Sequence, residues 1–521
     1  MLASNVYTIT DFGAAPDPAI LNTTAIQQAI DAAHAANGGI VLIPAGRWLT
    51  GTLYLKSYVI LYLAAQAVLL GSTNLDDYTV PVPEGSNPTY AQCLLYCQDA
   101  EKVTLAGPGT IDGQGAAFPH GTEGINVEDH DTLSASPQSF IRPILMRFNN
   151  CTDITFSDVT MQNPAHFIAV LNNVDRFRAH SVRGEARANQ NGDGFQMHNC
   201  RNVFISDCQL DCSDDCLPFV HSAENVVVTN CVLSSRWAAL RFGPGSQGRM
   251  HNITVSNCVI HNTYGCGIKM QQVDGGTFED IRFNNLVMDN VTGPISLRLA
   301  LWRGWGTLRE TLPPYGTFRN VSFSNIRARV PENSQPRDYE VPSTPGELRQ
   351  CLNITGLPGH PIAGITFENV HITYYGGGTA EEAARTDIPE MTDYYPEYHM
   401  FGTLPAYGFY IRHARDIVLR NVTLDFEHDD LRPAIICEDV TELELDSVHA
   451  QGYPGAGELI RLHNTRGAFI HGCRSTSDVE TFIKVTGQES TGITLTANDL
   501  HRANCQVTFD DGAGAECLQS G

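Results

Sequence analysis

No stretch of the 521-residue sequence stays apolar for the roughly 18 residues that a membrane-spanning helix requires, so no membrane association is expected. Basic residues are few. There are 33 Lys and Arg against 57 Asp and Glu, a formal net charge of −24, which speaks against nucleic acid as a partner because a binder must neutralise phosphates with clustered cations. The same charge gives no help in attracting an acidic polymer. No Cys-x-x-Cys pair opens a zinc site, and neither a metal nor a cofactor is expected. The 15 cysteines are an odd number, and Cys208, Cys231, Cys258 and Cys473 share one inward position of a repeat, which predicts small buried thiols rather than disulfides. The Leu-x-x-Leu-x-Leu signature of leucine-rich solenoids is missing. Met1-Leu2-Ala3-Ser4-Asn5-Val6-Tyr7 has neither the basic nor the apolar part of a secretory signal. The expected location is cytoplasmic if Met1 is the native start, and secreted or periplasmic with the signal removed otherwise.

What is present is a repeat. Asn150-Cys151-Thr152-Asp153-Ile154-Thr155-Phe156-Ser157, Asn199-Cys200-Arg201-Asn202-Val203-Phe204-Ile205-Ser206 and His251-Asn252-Ile253-Thr254-Val255-Ser256 follow one pattern. It recurs around Val226, Ile281, Val321, Ile365, Ile417, Leu443 and Ile493, usually after roughly 22 to 28 residues. Apolar and polar residues alternate within each copy, the period of a half-buried strand. One copy cannot bury its apolar face alone, whereas stacked copies share a continuous core, with parallel strands about 4.8 Å apart. The prediction is an all-β chain folded as a single-stranded, right-handed parallel β-helix. Asparagines at the repeat turns, including those of the Asn-x-Ser/Thr sequons at Asn252, Asn290, Asn320 and Asn421, are expected to bond within the turn or from coil to coil rather than to carry glycans.

The first 60 or so residues read as an N-terminal cap and first coils. Asn22-Thr23-Thr24 is a natural helix N-cap, and Ile26, Ile30 and Ala33 follow at helical spacing. Such a helix would cover the open first coil. Coils then run to about residue 510, interrupted by insertions near 116–141, 331–350 and 375–408, and the whole of 1–521 reads as a single β-helix domain. The last insertion holds Tyr394, Tyr395, Tyr398 and Phe401, aromatics suited to closing one end of a groove or to burying a subunit interface. The sequence leaves the oligomeric state open.

Three patches lie inside the repeats: Asn191-Gly192-Asp193-Gly194, Ser213-Asp214-Asp215-Cys216 and Gly267-Ile268-Lys269. Asp193 and Asp214 are about one coil apart, so the strands carrying them should be neighbours. Consecutive residues on a strand point to opposite faces, so Asp214 and Asp215 can share a side only where the backbone bends or the strand ends. Crowding three carboxyl groups should leave one protonated beside ionised neighbours. That suits an inverting glycosidase, in which an acid protonates the leaving oxygen and a carboxylate roughly 6.5 to 9.5 Å away activates water. Solvated turn aspartates or a calcium site are the alternative reading of the same residues.

The sequence resembles the polygalacturonase-type, pectin-cleaving glycoside hydrolases. Asp11-Phe12-Gly13-Ala14, Ile43-Pro44-Ala45-Gly46, Gly107-Pro108-Gly109-Thr110-Ile111-Asp112-Gly113, Arg142-Pro143 and Asn163-Pro164 precede the catalytic blocks in family order. The family's Asn-Thr-Asp-Gly stands here as Asn191-Gly192-Asp193-Gly194, and its Gly-Asp-Asp-Cys as Ser213-Asp214-Asp215-Cys216. Phe401 to His413 also looks like a segment of bacterial members with enlarged loops. The resemblance implies that Asp214 is the acid, that Asp193 with Asp215 activates water, and that an oligosaccharide or polysaccharide is the partner.

Two departures bear on the substrate. Where the family has Gly-His-Gly, Trp237-Ala238-Ala239-Leu240-Arg241-Phe242-Gly243 carries no histidine, a loss shared by the rhamnogalacturonan-cleaving branch. Arg-Ile-Lys has become Gly267-Ile268-Lys269, which keeps the lysine and drops the arginine suited to a two-pronged carboxylate bond. Asn191, Lys269, Arg241, Arg298 and Arg303 are therefore the candidate substrate contacts, and Trp302 and Trp305 either stack on a sugar or pack under a loop. The leading expectation is an exo-acting, inverting hydrolase of α-linked pectic saccharides of galacturonate or rhamnogalacturonan type. A hydrolase of non-uronate α-glycosides, a polysaccharide lyase and a noncatalytic glycan binder are the alternatives.

Overall fold

The computed structural model describes residues 5–81, 91–118, 141–302, 312–332 and 349–519. They divide into two compact units, 1–237 and 238–521, each built of parallel strands wound as a right-handed parallel β-helix.

In the first unit a coil contributes three strands. Ile144–Asn149, Thr152–Ser157 and Thr160–Gln162 form one coil, and Ala169–Asn172, Asp175–His180 and Arg183–Ala186 form the next, each strand paired in parallel with its counterpart. The period-2 pattern dictates this arrangement, since every second residue faces inward and meets the equivalent residue one coil away. One such column runs Val41, Leu61, Leu105, Phe156, Ala179, Ile205 and Val228, all buried. The helix Thr23–Ala35 covers the first coil with Ile26, Ala29, Ile30 and Ala33. Its Gln27 exchanges hydrogen bonds with the Tyr54 backbone, 2.8 Å from Tyr54 N and 3.1 Å to Tyr54 O. Asn22 sits at the N-cap position, but its side chain does not cap the helix. It is buried and ties down the preceding loop instead, accepting from Ala15 N at 2.8 Å and donating to Ile20 O at 2.8 Å.

In the second unit the strands of one coil merge into long bent ribbons, Arg249–Gln272 and Thr277–Leu299, which pair almost end to end. Phe283, Phe323 and Phe367 stack in its core with ring centroids 4.9 and 4.7 Å apart and nearly parallel rings. Each such buried ring contributes about 1.5–3 kcal/mol of transfer free energy.

The turns follow the asparagine reading. Asn252, Asn290, Asn320 and Asn421 all have φ between 50° and 59°, the left-handed conformation that asparagine tolerates better than most residues. Asn290 donates to Asn262 at 2.7 Å, Asn369 to Asn325 at 2.6 Å and Asn421 to Asn369 at 3.3 Å, so one turn's amide satisfies the next. All fifteen cysteines lie among the described residues and none forms a disulfide. Cys208, Cys231, Cys258 and Cys473 are buried and each thiol points to the carbonyl two residues before it, at 3.2 or 3.3 Å. Among the described residues no helix is long and apolar enough to cross a membrane.

Candidate active site

In the first unit, Asp193, Asp214 and Asp215 lie in two stacked turns, each joining the third strand of a coil to the first strand of the next. One turn falls between Arg183–Ala186 and Phe195–Ser206, the other between Gln209–Cys212 and Leu217–Thr229. The strand thus ends at Cys212, which frees Asp214 and Asp215 from strict alternation as the sequence required. The turns are bonded to each other: Asp214 N donates to Gly192 O at 3.2 Å, and Gly194 N to Asp215 O at 2.9 Å. Asn191, at φ 51°, lies within the first turn.

Glycine at 192 and 194 is imposed by this close stacking. A Cβ on Gly192 would lie 2.3 Å from Ala186 O, and one on Gly194 2.2 Å from Cys216 O. Ser213 stands where the family has glycine, and its hydroxyl knits the turns together by donating to Asn189 O at 2.5 Å and accepting from Gly192 N at 2.9 Å.

Asp193 and Asp215 are buried, while Asp214 is half-buried. The Gln196 amide donates to Asp193 Oδ2 at 2.7 Å, and Gln196 Oε1 meets His198 Nε2 at 3.1 Å. A bond donated to a carboxylate favours its ionised form. Asp214 accepts from Asn191 Nδ2 at 3.2 Å and from Asp215 N at 2.9 Å, while Ser235 Oγ donates to its carbonyl at 2.7 Å. Behind Asn191 stands the buried Arg142, donating to Asn191 Oδ1 at 3.1 Å and to Gln190 O at 2.7 Å. His166, buried beside Arg142 and Arg147, is held well below the usual imidazole range by burial first and then by those two cations. Gln196, His198 and Ser235 escaped the reading of the sequence, which noted Ser213 only as part of its block. Only Gln196 and His198 left a signal, since both share one face of the strand that follows Asp193.

In the second unit, Lys269 lies on the strand segment paired with Ala238–Phe242, opposite Arg241, with Ser296 one coil on. Lys269 is buried and its ammonium donates to Glu397 Oε2 at 2.9 Å. Arg241 is half-buried and donates from Nε to Gly243 O at 2.6 Å. Arg298 is 1% exposed and faces the segment 377–408 rather than open surface. It donates to the carbonyls of Glu390, Met391 (3.2 Å) and Gly356 (3.3 Å) and lies over the Phe401 ring. Burial and the nearby Arg412 push its pKa down to about 9. Arg303 and Trp305 lie outside the described residues. Trp302 is buried under the same segment, its ring edge-on to Tyr395 at 5.2 Å. Tyr398 and Phe401 are likewise buried within the chain, Phe401 in a cluster with Ile388, Leu404 and Tyr410. These aromatics therefore fill the space under their own loop, and neither a subunit interface nor a sugar platform is needed to explain them.

The family model for glycosyl hydrolases family 28 matches residues 41–390, which takes in every one of these turns. The chain belongs to glycosyl hydrolases family 28. It is a glycoside hydrolase by that membership. Relatives in the family include a probable polygalacturonase of Vitis vinifera, 24% identical over 70% of this chain and 73% of its own length. An exo-poly-alpha-D-galacturonosidase of Dickeya chrysanthemi is 26% identical over 55% of each chain. An exopolygalacturonase of Platanus acerifolia is 25% identical over 72% of this chain and 92% of its own. Among solved structures, an exopolygalacturonase from Thermotoga maritima superposes with a TM-score of 0.59 at 17% identity, covering 82% of this chain and 93% of that one. A family 28 exopolygalacturonase of Yersinia enterocolitica gives 0.56 at 20% identity, over 82% and 76%. At these identities the two structures establish a shared fold.

Proposed function

We propose that this family 28 member hydrolyses α-glycosidic bonds in pectic saccharides with inversion, working from a chain end. The observation that carries the reading is the pair of stacked turns in the first unit, which brings two buried aspartates and a half-buried third into hydrogen-bonded succession. In this reading Asp214, the most accessible, protonates the leaving oxygen, while Asp193 with Asp215 takes a proton from the attacking water. Gln196 supports the base role by holding the Asp193 carboxyl in place through its amide. Asn191 orients Asp214 and is itself fixed by Arg142. Lys269 and Arg241 are assigned to the substrate side and Arg298 to anchoring the loop 377–408. Exo action is supported by the exo-acting names of the Dickeya and Platanus relatives.

The test is product analysis on a panel of pectic fragments and neutral α-linked oligosaccharides, by mass and by proton NMR of the fresh anomer. A saturated monosaccharide of inverted configuration, released from one end, is the expected product. An unsaturated product lost in chelator would make the chain a lyase, and binding without any turnover would make it a glycan-binding β-helix.

A further inference from the structure

The mechanism above leaves one buried pair unexplained. Lys269 is the cation on which the family reading would seat an acidic sugar, yet it already has a carboxylate. Glu397 reaches it across 128 residues of sequence, with the two side chains 3% and 10% exposed. Nor is Glu397 a loosely placed surface group. Its N–H is bonded to Tyr395 O at 2.8 Å and its carbonyl accepts from Met400 N at 3.2 Å, which fixes the turn on both sides. The next residue, Tyr398, is buried against Gly293, where a Cβ would stand 2.7 Å from the ring, and its hydroxyl donates to Tyr264 O at 3.4 Å. Along the row that holds Lys269, Arg241 precedes it and donates from Nε to Gly243 O at 2.6 Å, and the following residues are uncharged, Ser296 and Asn353, bonded to each other at 2.9 Å. Two residues further on, the charges are also taken, because Arg298 is spent on loop carbonyls and Arg412 on Ile388 O, Pro389 O and Glu390.

A uronate arriving at Lys269 would have to displace Glu397 or share one ammonium with it in a site largely shielded from water. Either course leaves a carboxylate poorly paired, the arrangement that low dielectric punishes most. A neutral ring meets no such obstacle, because Glu397 supplies internally the charge that the substrate would otherwise bring. We propose that the Lys269–Glu397 pair is a specificity device, and that the sugar bound at this subsite is a neutral hexose or deoxyhexose recognised through its hydroxyl groups. The inference rests on the family reading of Lys269 as a substrate-side residue and narrows it to a substrate class.

The native full-length chain tests this in two arms. In the turnover arm, matched α-linked pectic oligosaccharides ending either in a neutral sugar or in galacturonate are compared; kcat/KM should favour the neutral end by at least about 100-fold. Equal efficiency, or preference for galacturonate, overturns the proposal while leaving the hydrolase reading intact. Absence of turnover on both series counts against the hydrolase reading alone, and the second arm then decides this one. In that arm, calorimetry with galactose, L-rhamnose and galacturonic acid should show the best neutral sugar binding at least about tenfold more tightly than the acid. Tighter or equal binding of galacturonic acid, or no binding of any neutral sugar, overturns the proposal. Glu397→Gln, if it folds, should gain affinity for galacturonic acid, because the carboxylate that competes for the lysine is removed. Unchanged discrimination in the folded variant would count against it.

Discussion

At the residue scale the two active-site turns separate what the backbone demands from what the chemistry demands. Gly194 is there because Cys216 O of the adjoining turn passes where a Cβ would sit. Gly194→Ala should therefore lower stability by about 1–3 kcal/mol or more, read as a shift in the denaturant midpoint, since backbone rather than a flexible side chain must yield. Asp214 makes no comparable demand on the fold. It is half-buried, and its carboxylate accepts from the Asn191 amide at Oδ2 and from the Asp215 N–H at Oδ1, of which the single oxygen of an asparagine can keep the second, backbone bond. Asp214→Asn should keep the melting temperature near that of the parent while reducing kcat by about 10²–10⁴, the range for loss of a general acid. Turnover at the parental rate would remove Asp214 from the mechanism.

At the element scale, the segment 377–408 is held by a latch of charges. His413 is bonded through Nε2 to Glu390 Oε1 at 3.0 Å and through Nδ1 to Asp439 Oδ2 at 2.7 Å. Arg412 also pairs with Glu390 at 3.1 Å, and Arg466 pairs with Asp439 at 2.6 Å. Burial opposes the charge on His413, as does Arg412, but the two carboxylates outweigh them and raise its pKa. Burial likewise opposes ionisation of Glu390 and Asp439, and the bonds to His413 and the arginines outweigh it and lower theirs. The signs give a window. A raised histidine pKa stabilises the fold fully below the ordinary value of about 6.5, and that stabilisation is lost as pH climbs through the raised value. Lowered carboxylate pKa values stabilise above about 4, and this is lost as pH falls. The latch should thus contribute most in mildly acidic solution. Its contribution to the melting temperature should drop from pH 6.5 upward, and His413→Gln should flatten that decline relative to the parent. Parallel profiles for the two proteins would mean that the latch carries no proton-linked stability.

The same elements show what could be read in advance. The coils were legible because a period of two repeated at near-constant spacing describes one buried face, and the Asp193 and Asp214 turns because one coil of separation puts them side by side. The contacts of 377–408 left no such trace. Glu397 meets Lys269 and Arg298 meets Glu390 across roughly a hundred intervening residues, and no local pattern encodes a partner that distant. Arg298 consequently read as a sugar contact when its surroundings make it an anchor, and Tyr398 and Phe401, read as closing a groove or burying a subunit interface, form the underside of the loop. Asn22 shows the limit at short range: the residue type fitted an N-cap, but the neighbouring loop claimed its side chain.

At the scale of the whole molecule, the net charge of −24 sets the conditions under which a long acidic polymer can approach. With the Debye length at about 30 Å in 10 mM salt and about 8 Å near 150 mM, repulsion between two polyanions is felt well beyond contact in the first case and barely in the second. Added salt should therefore lower KM for high-molecular-weight polygalacturonate, or raise its binding if it is not cleaved. The parameters for a short neutral α-linked oligosaccharide should stay flat over the same range. This is the reverse of what a cationic groove would give, where salt strips the polymer away. Initial rates at three salt concentrations on both substrates check it. A KM for the polymer that rises with salt would mean that a local patch of cations governs encounter in place of the net charge, and Arg241 would then be the first side chain to replace.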